Sequence, residues 1–236
     1  MKIPKLSLFL LLSVFFSACD DSGFCLKGEG ETESRTFDLP VFEGVKVRGN
    51  THVFIERGKR QQVLVKGQAN VLDELERNVS DGVWEIGFDR CFRDHKTVEV
   101  YITLPELSSA EVSGSGYLVM EDRFRTRDFT VGVSGSGDIK GRIEADKVDA
   151  RISGSGTIEL SGDANEQEIN ISGSGNHHAF DLRTNVTDVH VSGSGKAQVK
   201  VADELDVNIS GSGRVYYKGN PNTSVDVSGS GKLIKE

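Results

Sequence analysis

The tetrapeptide Ser-Gly-Ser-Gly recurs in the second half of this chain, and its spacing limits the possible folds more than any other feature. The seven copies begin at Ser113, Ser134, Ser153, Ser172, Ser192, Ser210 and Ser228. Successive copies are 18 to 21 residues apart. A fixed period of about 20 residues is typical of solenoids, in which each repeat forms one turn of a coil.

Each copy follows two apolar residues separated by one other residue, which is the pattern of a half-buried β-strand. The pairs are Ala110/Val112, Val131/Val133, Ala150/Ile152, Ile169/Ile171, Val189/Val191, Val207/Ile209 and Val225/Val227. No helix-length pattern separates the copies, which excludes βαβ and leucine-rich repeat folds. The sequence therefore predicts an all-β protein, a parallel β-helix or β-solenoid with about 18 to 21 residues per turn.

The chain has 27 glycines among 236 residues, and fourteen of them lie in the seven copies. Glycine accepts positive φ and lets neighbouring backbones approach closely, so stacked copies should form an ordered glycine column. We therefore expect Gly→Val at Gly173 or Gly193 to destabilise the protein far more than at Gly219, which we interpret as a loop residue.

Residues 35–111 are less regular but still rich in strand patterns, so we predict a β-rich region before the repeats of residues 112–236. The expected strands are Phe42 to Val47, His52 to Glu56, Gln62 to Val65, Val83 to Gly87 and Thr97 to Leu104. A short helix is expected over Ala69 to Asn78. This region either continues the solenoid imperfectly or caps its open end, because an uncovered turn exposes unpaired backbone.

The N-terminus has the pattern of a secretory signal. Lys2 and Lys5 precede the apolar run Leu6 to Phe16, which is too short to span a bilayer. The small residues before Cys19 resemble a bacterial lipoprotein signal. This resemblance predicts removal of residues 1–18 and lipidation, for example by palmitate, of Cys19. The alternative is an ordinary secreted protein that is cleaved nearby.

After this cleavage, residues 19–34 would form a lipidated tether that holds the protein to the membrane. We expect the outer membrane, on its periplasmic face or at the cell surface. The acidic Asp20 and Asp21 after the cysteine leave the inner membrane open as well. Loss of Lys2 and Lys5 lowers the formal net charge from −8 to −10, which argues against nucleic acid as a partner.

Two cysteines remain when Cys19 carries lipid, and an oxidising compartment favours a disulfide between Cys25 and Cys91. Two separate buried thiols are the alternative. Neither cysteine lies in a CxxC motif, which argues against redox catalysis and against a zinc site.

Two segments that precede the repeats resemble the DUF2807 family, described as an adhesin head or GIN domain. They are the strand-like stretches Phe42 to Asn50 and Val98 to Pro105, followed by the Ser-Gly-Ser-Gly series. The resemblance covers about residues 35–233. It implies a right-handed β-helix of the kind found in lipoproteins and secreted proteins of Bacteroidetes, and it supplies no catalytic residues.

Four successive turns place an acid four residues before the tetrapeptide. These acids are Asp149, Glu168, Asp188 and Asp206. They form either a solvated acidic stripe or a face for a cation or cationic ligand, and hard oxygen ligands suit Ca²⁺. Stacked carboxylates also occur in glycosidases, but few aromatic residues accompany these. The adjacent His177 and His178 would point to opposite faces of a strand, so they cannot chelate a metal together. His177 aligns with Ile158, Ala197 and Val215, which indicates a packed core or corner residue.

The sequence therefore predicts a lipid-anchored, non-catalytic binding or adhesin-like module for a glycan, a protein or an envelope component. Two alternatives stay open: a carbohydrate-active enzyme (polysaccharide lyase or glycosidase) and a purely structural envelope protein. Apart from Ca²⁺ on the acidic face, no metal or cofactor is predicted. The membrane, through Cys19, is the one partner expected in any of these cases.

Overall fold

The computed structural model describes residues 25–236, which form a parallel β-solenoid of about seven turns. The predicted signal peptide and Cys19 lie outside these residues. Before the repeats, the elements are β1 (Leu26–Lys27), β2 (Thr32–Thr36), β3 (Gly44–Gly49), β4 (His52–Arg57), β5 (Gln62–Gln68), α1 (Ala69–Leu72), β6 (Val79–Ser80), β7 (Val83–Ile86), β8 (Phe92–Arg93) and β9 (Glu99–Leu104). In the repeats they are β10 (Ser109–Gly114), β11 (Tyr117–Gly135), β12 (Asp138–Gly154), β13 (Thr157–Gly173), β14 (Asn176–Gly193), β15 (Lys196–Gly211), β16 (Arg214–Lys218), β17 (Asn222–Gly229) and β18 (Lys232–Lys235).

The repeats stack in register, which confirms the predicted fold class. Each of the strands β11 to β15 follows nearly a whole turn and pairs in parallel with the next. The tetrapeptides lie directly above one another: Ser134 pairs with Ser153, and Gly135 with Gly154. Because equivalent residues meet at every turn, one sequence pattern is sufficient to specify the whole stack.

The interior is filled by columns of the apolar residues that precede each tetrapeptide. Val131, Ala150, Ile169, Val189 and Val207 form one such column, and each is fully buried. The same alternation continues after the tetrapeptide in buried residues such as Ile139 and Ile158. Period-two alternation therefore decides which side chains enter the core and which face solvent.

The first glycine of each tetrapeptide bends the coil at a place where backbone crowds backbone. Gly193 has φ of 120°, and a Cβ placed there would lie 2.5 Å from the carbonyl oxygen of Gly173. That oxygen also accepts a 2.8 Å hydrogen bond from the N–H group of Ser194. We call this bend the glycine corner; only glycine fits its positions. They are Gly114, Gly135, Gly154, Gly173, Gly193, Gly211 and Gly229.

The interpretation of Gly219 as an unconstrained loop residue is wrong. Gly219 has φ of 107°, and an added Cβ would collide with the carbonyl oxygen of Val201 in the preceding turn. It is a second crowded bend, although no Ser-Gly-Ser-Gly motif marks it. Gly132 offers the contrast, because its added Cβ would meet only the Glu111 side chain at 3.5 Å, an ordinary contact distance.

The region before the repeats both continues the solenoid and caps it. Strands β3 and β4 pair in parallel with β10 and β11, so they add turns to the stack. Strands β2 and β5 instead pair antiparallel, and α1 packs beside β5. The predicted helix over Ala69 to Asn78 stops at Leu72, because Leu75 forms an antiparallel bridge with Phe88. Trp84, fully buried, donates to the Glu76 carbonyl oxygen at 3.1 Å.

The two ends of the solenoid are finished differently. At the first end, a disulfide joins Cys25 to Cys91 and holds β1 against β8. At the other end, Val225 and Val227 occupy core columns of the last turn but are 45% and 36% exposed. Within residues 25–236, no helix is long and apolar enough to cross a membrane.

Candidate functional site

The four acids singled out in the sequence lie in one register column. Asp149 pairs with Glu168, Glu168 with Asp188, and Asp188 with Asp206. Three of them are bound by a donor two residues further along their own strand. Arg151 donates to Asp149 at 2.5 Å, Asn170 to Glu168 at 3.1 Å, and Asn208 to Asp206 at 3.2 Å; these donors make up the next outward column.

These donors change how the acidic column behaves. The hydrogen bond from the Asn170 amide lowers the pKa of Glu168; burial opposes this shift, and the nearby Lys147 and Arg151 add to it. Within residues 25–236, no three His, Cys, Asp or Glu side chains converge in a group that could hold a metal ion. The column is therefore a ladder of carboxylates that are largely occupied by their own neighbours.

His177 is a core residue, as its position predicted. Its side chain is fully buried, and its Nε2 lies 2.9 Å from the Nε2 of Gln167. Burial lowers the pKa of His177 to about 3, so the ring is neutral at pH 7. His178 lies on the other face of the strand and contacts the Oε1 of Gln198 at 2.5 Å. The two rings therefore do not form a joint site.

A groove of about 1030 Å³ crosses β11 to β15 on the surface of the solenoid. Three neighbouring columns line what we call the corner groove. The wall column is Arg125, Glu144, Asp163, Arg183 and Lys200; the floor column is Thr126, Ala145, Ala164, Thr184 and Val201; the rim column is Arg127, Asp146, Asn165, Asn185 and Ala202. The wall residues are direct register partners from turn to turn.

The floor of the corner groove is made of small side chains, most of which are buried. Ala145 is 9% and Ala164 7% exposed, so each presents only a small part of its methyl group to the groove. Thr184 is held by its hydroxyl, which lies 2.7 Å from the Thr187 hydroxyl and 3.1 Å from the Lys200 carbonyl oxygen. A shallow, rigid trough results, open along the axis of the solenoid.

The wall of the corner groove is a connected chain of ion pairs. Arg123 bridges two turns, contacting Glu144 at 2.5 Å and Asp163 at 3.3 Å. Arg125 contacts Glu144 at 2.8 Å, and Arg183 contacts Asp163 at 2.6 Å. Glu144 and Asp163 are thus each held by two guanidinium groups, an arrangement that fixes the positions of the polar atoms along the wall.

Two other surfaces gather polar or aromatic groups. A depression of about 550 Å³ runs beside the column that contains Asn170, His190 and Asn208. Near the capped end, the ring of Phe54 stacks on Tyr101 at 5.2 Å, and the Lys66 ammonium covers that tyrosine at 4.3 Å. Because both faces of Tyr101 are covered, this cluster does not offer a flat platform on which a sugar can stack.

Sequence reasoning missed the corner groove because its residues lie in the arc of variable length between the strands. The register shifts between β11 and β12, β13 and β14, and β14 and β15 within this arc. Counted back from the following tetrapeptide, Arg125, Glu144, Asp163 and Arg183 each stand nine residues before its first serine, whereas Lys200 stands ten residues before it. The signal that marks them is the charged column itself, which appears once the arcs are aligned on Ala145 and Ala164.

Several solved structures share this fold. A "putative adhesin" from Bacteroides fragilis superposes with a TM-score of 0.82 at 20% identity, over 89% of this chain and 100% of that chain. A "putative adhesin" from Parabacteroides distasonis gives 0.72 at 26% identity, over 89% and 99%. A protein of the same organism described as a "putative lipid binding protein" gives 0.74 at 23%, again over 89% and 99%.

A comparison with functionally curated proteins finds no match. The sequence profile of one family matches residues 41–221, which is most of the chain and includes both the β3–β9 region and the corner groove. The chain belongs to the DUF2807 family, described as "Putative auto-transporter adhesin, head GIN domain".

Proposed function

We propose that this protein is a non-catalytic binding module of the cell envelope, and that the corner groove holds an extended ligand. The observation that carries the proposal is the repetition of polar groups across five turns beside a floor of small side chains. A ligand with its own repeat meets donors and acceptors at every turn, so many weak contacts add along its length. A glycan, an extended protein segment or another envelope polymer has this form.

The proposed location rests on the N-terminal signal and on the family. We propose that residues 1–18 are removed, that Cys19 is lipidated, and that residues 19–34 tether the β-rich region of 35–111 and the repeats of 112–236. The disulfide between Cys25 and Cys91 supports an oxidising compartment. Replacement of Cys19 by Ala should move the protein from the membrane fraction to the soluble envelope fraction and abolish palmitate labelling. Unchanged fractionation contradicts the anchor.

The surface of the solenoid, rather than its interior, is the place for a ligand. Columns of buried apolar side chains fill the coil along its length, such as Val133, Ile152 and Ile171. One structural relative is described as a "putative lipid binding protein". For this chain, the same packing directs any such ligand to the grooves on the outside.

The direct test is a panel of purified polysaccharides, peptidoglycan fragments and envelope proteins, with binding and release of shorter products measured in parallel. We expect binding without cleavage, and we expect Asn165→Trp, which places a large ring on the exposed rim of the groove, to abolish it. Thr157→Trp is the matched control, because it places the same side chain on β13 outside the groove. Cleavage instead supports a carbohydrate-active enzyme. If both variants still bind, the corner groove is not the binding site. No binding to any probe favours a structural role.

A further inference from the structure

The charges of the corner groove change sign along the solenoid axis in a fixed order. The wall column is basic in the first turn, acidic in the next two and basic in the last two. Arg127 adds a second cation to the first turn, and Asp146 adds a third acid to the centre. Neighbouring turns are about 4.8 Å apart, so the basic ends are separated by about 14 to 19 Å.

The basic groups at both ends keep donors available for a ligand. Arg125 and Arg183 are 64% and 68% exposed even though each contacts a wall carboxylate. A guanidinium has five N–H donors, so each arginine can hold its carboxylate and a ligand anion together. The ammonium of Lys200 makes no ion pair or hydrogen bond with any residue of the described range 25–236.

This order of charges disfavours several classes of ligand. A polymer with an anion on every unit, such as a nucleic acid, would bring negative charges against Glu144, Asp146 and Asp163. A neutral polymer would leave the basic ends unused. A peptide that binds by adding a strand needs an unpaired sheet edge, whereas β12, β13 and β14, which carry the centre of the groove, each lie between two parallel neighbours.

We propose that the corner groove binds an acidic polysaccharide whose carboxylates are separated by neutral sugars; this rests on the proposed binding function. A sugar in an extended chain advances about as far as one turn of the solenoid rises. One carboxylate in every four sugars therefore reaches Arg125 and Arg127 at one end and Arg183 and Lys200 at the other. The hydroxyls of the intervening sugars donate to the central carboxylates and accept from the rim amides.

Four linear polysaccharides with different charge spacing test this proposal on the intact protein. They are pullulan, which is neutral; deacylated gellan, with one carboxylate in four sugars; hyaluronan, with one in two; and polygalacturonate, with one on each. We expect gellan to bind tightest and its affinity to fall with added salt. Pullulan or polygalacturonate binding as tightly as gellan overturns the proposal. Binding confined to neutral polysaccharides also overturns the acidic-polysaccharide proposal, but the proposed binding function then stands. Absence of binding to every polysaccharide and every other probe contradicts both the proposal and the binding function.

Two charge changes locate the effect in the groove. Lys200→Glu should weaken gellan binding about tenfold, which corresponds to the loss of one charge-assisted hydrogen bond. Lys232→Glu, outside the groove in β18, makes the same change in net charge and should leave gellan binding unchanged. Asp146→Lys should raise the affinity for polygalacturonate relative to gellan. Equal effects of Lys200→Glu and Lys232→Glu, or no change in preference with Asp146→Lys, contradict the proposal.

Discussion

Two bends of the same coil follow opposite rules. At the glycine corner, every turn carries the same residue, and the backbone of one turn meets the backbone of the next. At the corner groove, the side chain changes along the column: Arg125, Glu144, Asp163, Arg183 and Lys200 follow one another. The first bend has no space for variation at any turn, while the wall side chains of the second are partly exposed to solvent.

The difference shows where a stacked fold permits chemical specificity. Identical residues are required where a Cβ would strike the carbonyl oxygen below, as at Gly193. Side chains at the corner groove instead contact each other and water, so their exchange costs little folding free energy. Uniformity therefore indicates a structural role in this protein, and variation from turn to turn marks the surface where chemical specificity can arise.

The largest expected effect is at the glycine corner. Gly193→Val should cost at least about 3 kcal/mol of unfolding free energy and lower Tm by about 10 °C, because the side chain strikes backbone at positive φ. Gly219→Val should cost a similar amount. Gly132→Val is the control and should leave Tm unchanged or slightly raised. Thermal melts that give the same Tm for Gly193→Val and Gly132→Val contradict the comparison.

An interior column between the two bends gives the next effect. Unfolded His177 takes up a proton near pH 6.5, whereas the buried ring resists it until about pH 3. The unfolded chain therefore binds more protons in this window, and stability falls as the pH drops through it, by about 3 kcal/mol between pH 6.5 and pH 4. Denaturant melts of His177→Ile should show a smaller loss over the same range.

The readout for His177 is the difference between two pH values in each protein. His177→Ile also leaves Gln167 without its partner, but this loss of stability is the same at both pH values and cancels in the difference. Surface carboxylates are present in both proteins and contribute equally to both curves. A wild-type curve that is no steeper than that of His177→Ile rules out the buried neutral ring as the cause.

A smaller effect is expected from the ion pairs of the corner groove. Asp163→Asn removes contacts with Arg123 and Arg183, but the carboxylate is 39% exposed, so the loss should stay within about 1 kcal/mol. Glu159→Gln, which breaks the 2.8 Å pair with Lys140 elsewhere on the surface, is the matched control. A loss for Asp163→Asn as large as that for Gly193→Val would mean that the groove, too, is a structural corner.

The smallest effect concerns the acidic column. If Asp149, Glu168, Asp188 and Asp206 bind Ca²⁺ with millimolar affinity, calcium at that concentration should raise Tm by about 1 °C. Three of these acids already accept from a neighbouring donor, which keeps the expected gain low. Sodium chloride at equal ionic strength is the control. No difference between the two salts removes the cation-binding interpretation.

The sequence predicted those parts of the fold in which equivalent residues repeat. The register of Ser134 over Ser153, the buried alternation around Val131 and the core position of His177 all follow from periodicity. The corner groove did not follow, although four of its wall residues precede the next tetrapeptide by the same nine residues, because a column of mixed charges in the sequence looks like any solvated face of a sheet. Gly219 was misread for a related reason: its constraint comes from Val201 one turn below, a contact that local sequence does not reveal.

Because the turns stack in register, the length of the solenoid is set by the number of its turns. Each turn pairs in parallel with the turns on either side of it. Deleting residues 138–156 therefore joins Gly137 to Thr157, which takes the place of Asp138. The groove then shortens by one step of about 4.8 Å while both of its ends survive. Duplication or loss of the gene segment for one repeat can therefore change the distance between the two basic ends by one whole turn. The number of repeats would then determine the charge spacing of the ligand that fits the groove.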